Sequence, residues 1–174
     1  MFGRRRPKEP PGPPSPAEVF ASLRQNVLGL DPSTVGLAPA PGRPRVWAGL
    51  MDMGYPAQRW ATVVVVGDGT VSLYTSSGGG VIGAGTHPGV AAAADRWLSA
   101  LDGQLALLPD TDPPGLPAPG QVVIRALLFG GAQHSVTAAE DDLGYRRHPA
   151  YPLFHVAQEV ITQMRLVQEA GPAR

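Results

Sequence analysis

The chain has 174 residues, enough for one domain with a sizeable core, and its formal net charge is zero. It contains no cysteine, which excludes disulfides and cysteine-ligated metal sites. Charged residues make up only 16% of it and no run approaches the length of a membrane span, so the chain reads as a low-charge cytoplasmic protein without a membrane segment.

Residues 1–14 read as a disordered, proline-rich basic arm, in which Arg4, Arg5, Arg6 and Lys8 are opposed only by Glu9. No aromatic residue beyond Phe2 is interleaved with these charges, so contact with nucleic acid is expected to be weak and salt-sensitive at most. The arm has no apolar stretch of the kind a secretory signal needs. Next comes Ser15-Pro16-Ala17-Glu18, in which serine caps, proline suits the first helical position and glutamate completes a capping box. Val19, Phe20, Leu23, Val27 and Leu28 recur at helical spacing and predict a helix over 16–28, stopped by Gly29.

Residues 29–45 carry four prolines and read as an irregular connection. Three strands follow: one from Val46, ended by Gly54 and Pro56, one over Arg59–Val66, and one over 70–76 after the turn Gly67-Asp68-Gly69. In the third, Val71, Leu73 and Thr75 alternate with Ser72, Tyr74 and Ser76, which predicts one buried and one wetter face. A second helix is expected from Pro88 through Leu101, with an extension through residues 104–108 conceivable, and Val90, Ala94, Trp97, Leu98 and Leu101 lie along its inward face. After a proline-rich loop at 109–120, two strands flank Gly130-Gly131 as a hairpin. A charged loop from Glu140 to Tyr151 leads to a last helix starting near Pro152, whose apolar face carries Leu153, Ala157, Val160, Met164 and Val167.

The order is therefore α-β-β-β-α-β-β-α. Short turns between strands imply antiparallel pairing, so the expected class is α+β: a single antiparallel sheet of about five strands with helices packed mainly on one face. One domain is expected over 15–170, between the arm at 1–14 and a short tail at 171–174.

Two stretches invite a functional reading. The first is TSSGGGVIGAG at 75–85, in which Gly78, Gly80 and Gly83 satisfy the letters of a dinucleotide fingerprint. The parallel strand–helix context is missing, and the only lysine of the chain is Lys8, so a bend or bulge that re-enters the sheet is favoured over a phosphate loop. The second is the densest charge cluster, where Glu140, Asp141 and Asp142 precede Arg146, Arg147 and His148. Carboxylates on consecutive residues of an extended segment would point in alternating directions, which suits a solvated rim with local ion pairs better than a cation site. His87, His134, His148 and His155 show no metal-ligand spacing, and none of Ser76, Ser77 and Ser135 sits in an activating motif. No catalytic residue, metal or cofactor is expected.

The element order resembles that of secretion-chaperone-like modules and, less closely, of roadblock or profilin-like folds, which place the middle helix one strand earlier. The resemblance rests on element order alone and transfers no residue. It implies a non-catalytic, chaperone-like or adaptor-like protein-interaction or regulatory module whose partner is another protein, in the first place a second copy of itself. The alternative is an enzyme or small-ligand binder that uses Ser76, Ser77, Gly78, Gly79 and Gly80 together with Glu140, Asp141, Asp142, Arg146, Arg147 and His148.

Overall fold

A computed structural model describes residues 12–112 and 115–171. Most of the expected basic arm and the last three residues of the expected tail lie outside them. The chain runs through α1 (Pro16–Leu28), β1 (Val46–Tyr55), β2 (Arg59–Val66), β3 (Val71–Thr75), β4 (Gly80–Val81), α2 (Pro88–Gly103), β5 (Gln121–Leu128), β6 (Gln133–Ala139), α3 (Glu140–Gly144) and α4 (Tyr151–Ala170). All strands join one antiparallel sheet in the order β4-β3-β2-β1-β5-β6. The α+β expectation holds, with six strands where about five were expected. The sixth is the two-residue β4.

Local chemistry sets the element ends. The Ser15 hydroxyl accepts from the Glu18 backbone N–H at 3.3 Å, and the Glu18 carboxylate accepts from the Ser15 N–H at 2.7 Å. Both halves of the capping box are thus present, and a few tenths to one kcal/mol of helix stability depend on them. Gly130 and Gly131, with φ of 88° and 86°, turn β5 into β6. The second helix ends at Gly103, and residues 105–107 form a separate 3₁₀ turn rather than an extension of it.

The two faces of the sheet are built differently. On the first, Met51, Met53, Val63, Val65, Val71, Val122, Ile124 and Ala126 meet the inward faces of α2 and α4 in one continuous apolar core. Trp97 is fully buried at its centre, over the bare backbone of Gly49, where a Cβ would press on Leu101 and the indole. On the second face, α1 lies across Trp47, Leu50, Val64, Val66 and Tyr74, with Phe20 inserted edge-on to Tyr74 at 6.0 Å between ring centres. The expectation of a wetter face on β3 is therefore corrected. Ser72, Tyr74 and Ser76 are buried, as Val71 is, because α1 and its flanking turns cover them.

The glycine stretch makes a tight turn and then re-enters the sheet. Gly78, Gly79 and Gly80 all have positive φ (97°, 88° and 149°), and Gly80 pairs with Tyr74. A Cβ on Gly80 would also run into the Leu73 carbonyl oxygen. Gly80→Ala should therefore cost about 1 kcal/mol or more, from backbone strain and steric contact together. A fall in the urea midpoint with an unchanged slope is the expected reading, and a wild-type midpoint would contradict it.

Candidate functional site: the polar face of the sheet

Antiparallel register places side chains of paired residues on the same face. Asp52 of β1 pairs with Thr62 of β2, and Thr62 with Tyr74 of β3. The neighbouring row runs from Ser135 through Arg125, Leu50 and Val64 to Ser72. Every buried polar side chain among the described residues (Asp52, Thr62, Ser72, Ser76, Arg125 and Ser135) thus projects from the second face, and none from the first.

At the centre of this face is the Asp52 carboxylate, which is fully buried. Arg24 of α1 reaches down to it with Nε at 2.9 Å from Oδ1 and Nη2 at 2.7 Å from Oδ2, a two-pronged charge-assisted contact. The Thr62 hydroxyl donates to Oδ1 at 2.6 Å. The Arg24 side chain is only 11% exposed, so the ion pair is shielded from water and screened little by salt. Arg125 is buried in the adjoining row and its Nη1 donates to Gln133 Oε1 at 3.2 Å. Burial pulls its guanidinium below the ordinary arginine range, while Asp52 works in the opposite direction. The Tyr74 hydroxyl is buried with no hydrogen-bond partner among the described residues. Burial first, and then the Asp52 charge, push its ionisation well above that of an ordinary tyrosine.

Two covers close the face. One is α1. The other is made by residues 109–112, where Asp110 bridges Ser135 on the β6 side, and by residues 115–120. Further along, Pro117 accepts from the Trp60 indole N–H at 2.9 Å, and the Ala118 carbonyl fills the space a Cβ on Gly54 would take. Beside α1 a shallow apolar groove of about 260 Å³ runs between Pro16, Val19, Phe20, Leu23 and the Gly78–Gly79 turn. A larger cleft of about 660 Å³ lies between residues 36–47 and α2, and its polar side chains Arg43, Asp95 and Ser99 are solvent-exposed.

The residues singled out from sequence lie elsewhere, in two separate places. Ser76 is buried, and its hydroxyl accepts from the Trp60 N–H at 2.8 Å. Ser77, Gly78, Gly79 and Gly80 are exposed on the turn into β4, at one edge of the sheet. Glu140, Asp141 and Asp142 follow β6, at the other edge, about 24 Å away by strand spacing. The two stretches are not brought together. The acidic run is also not an extended loop, since it forms the first turn of α3, a short helix that caps the end of β6. Its expected local pairing is present in part. Arg147 Nε donates to Asp142 Oδ1 at 2.8 Å, whereas Arg146 sits 6.0 Å over the Tyr151 ring. His148 Nδ1 accepts from the Ala150 N–H at 3.1 Å. Among the described residues, no three histidine or acidic side chains gather as a metal ion would require. No described helix is long and apolar enough to cross a membrane.

Comparison of the chain with family models, curated proteins and solved structures finds no match. The likeness in element order to secretion-chaperone-like modules accordingly carries no residue and no activity to this chain.

The buried network was not singled out from sequence, although a signal existed. Asp52 in VWAGLMDM and Arg125 in QVVIRALL are lone charges inside strongly apolar strands, and such a charge needs a partner. Asp52→Asn leaves Arg24 without its counter-charge and should cost about 3 kcal/mol or more in urea unfolding. A loss below about 1 kcal/mol would show that water replaces the carboxylate. Tyr74 ionises near 10 when unfolded and higher when folded. Above pH 10 the native state therefore keeps a proton that the unfolded state releases, and stability falls as pH rises. Tyr74→Phe should be near neutral at pH 7 and shallower in that alkaline decline. If the wild type and the Tyr74→Phe variant lose stability in parallel above pH 10, the assignment is refuted.

Proposed function

We propose that this chain is a non-catalytic, adaptor-like cytoplasmic protein-interaction module that acts as a homodimer through the outer edge of β6. The carrying observation is the chemistry of that edge. The Asp110–Ser135 bridge means that the backbone groups of Ser135 point outward, so by the two-residue period of a strand those of Gln133, Thr137 and Ala139 do too. Of these, Ser135 alone is bridged to another segment among the described residues. The strand QHSVTAA carries no Lys, Arg, Asp, Glu or Pro, the residues with which edge strands ordinarily repel a second strand. The opposite edge is blunted by the two-residue β4 and the 3₁₀ turn at 84–86. A binding role also suits the polar groups beneath α1. Asp52 among them holds that helix through Arg24, and the group is sealed from solvent, where no substrate would reach it.

Light scattering should read twice the chain mass at micromolar concentration. Thr137→Lys, at an exposed position, should shift the protein to a single chain while far-ultraviolet circular dichroism stays unchanged, because a charge on the edge disfavours a second strand. A wild-type protein that stays at one chain mass throughout the micromolar range would refute the reading.

A further inference from the structure

The second face is covered by a helix of its own chain. The helix α1 has 13 residues, of which Phe20 alone is fully buried, and its main polar attachment is Arg24 on Asp52. It is joined to β1 by residues 29–45, an irregular connection with a single 3₁₀ turn. Phe20, Leu23, Arg24 and Val27 form the face that reads the groove, the pattern by which an amphipathic helix is recognised in trans. A buried carboxylate favours a helix that brings a cation to it, because an unpaired buried charge is costly. The chain thus holds, in α1, a segment of the chemistry the groove demands.

We propose that α1 exchanges between two copies, so that Arg24 of one chain neutralises Asp52 of the other. This rests on the homodimer reading above. If two copies pair antiparallel at β6, the two-fold axis stands perpendicular to the sheet and both polar faces lie on the same side. The two β1 strands are then five strand spacings apart, about 24 Å. Residues 29–45 can extend to about 56 Å, so the neighbouring groove is within reach once the turns between α1 and β1 unwind. Held in such a dimer, the neighbour's groove is present at a local concentration comparable to that of the chain's own. The exchanged helix itself makes the same contacts as the original one, while Leu30 and Leu37 of the connection leave their packing on the second face as it extends.

The absence of native cysteine permits a direct test. A Cβ at Gly78 lies 3.4 Å from Pro16 Cβ, at the short end of disulfide geometry. The Pro16→Cys/Gly78→Cys chain is prepared in light and ¹⁵N-labelled forms, mixed in urea, refolded together and oxidised, and the cross-linked peptides are weighed. Exchange predicts that up to about half of the 16–78 links join a light to a heavy peptide, the limit of random re-pairing. If the particle has two chains by light scattering and every link is light–light or heavy–heavy, exchange is refuted and the homodimer stands. A single-chain particle refutes both. A second measurement avoids Gly78: Arg24→Glu and Asp52→Asn chains are melted separately and after refolding together from urea. Exchange restores a native Arg24–Asp52 pair only in the mixture, whose midpoint should rise by several degrees above either variant. A mixture that melts as the sum of its components overturns the proposal.

Discussion

A carboxylate in the middle of a central strand is the constraint around which this sheet is organised. Asp52 sits on β1, with β2 on one side and β5 on the other, so neither edge nor solvent is near it. A charge in that position is tolerable only with a cation and further hydrogen bonds. Thr62 supplies one from the adjacent strand, and the cation comes from Arg24, outside the sheet. The polar face therefore requires α1, and α1 is placed by the point at which its arginine reaches the carboxylate.

The same constraint explains the division of labour between the faces. The first buries apolar side chains against α2 and α4, so its cohesion comes from area removed from water. The second mixes aromatic and branched side chains with Asp52, Thr62, Ser72 and Arg125. One short helix, the connection after it and a proline-rich segment cover it, with apolar contacts from Phe20, Leu30 and Leu37 beside the directional bonds of Arg24. Such a cover is specific in register, because charge-assisted bonds must line up.

The sheet's two edges are finished in contrasting ways. Positive φ at three successive glycines lets the chain double back so tightly that β4 has only two residues before the 3₁₀ turn at 84–86. At the other side, β6 runs its full length with uncharged residues, and the bridge from Asp110 occupies one point of it. The glycine stretch thus ends the sheet on one side, and on the other side Ser135 of β6 exchanges both its outward backbone hydrogen bonds with Asp110.

Much of the fold was legible in local pattern. The capping box at Ser15–Glu18, the 3.6-residue periodicity of α1, α2 and α4, and the glycine turns at 67–69 and 130–131 are properties of neighbouring residues, and they behave as local chemistry requires. Short connections between strands sufficed for an antiparallel sheet. Three features were not legible. The second face of β3 looked solvent-facing because Ser72 and Ser76 are polar, yet a helix forty or more residues earlier in the chain lies over it. The acidic run at 140–142 looked extended, yet it starts a helix where Leu143 can enter the core. Asp52 stands out as a lone charge in an apolar strand, but its partner Arg24, 28 residues away, is fixed only when α1 folds back over β1. Sequence determines what depends on residues within a turn or two of each other: element type, caps and the inward stripe of each helix. Tertiary structure alone decides which face is covered and by what, because burial and charge pairing depend on distances in space between segments far apart along the chain.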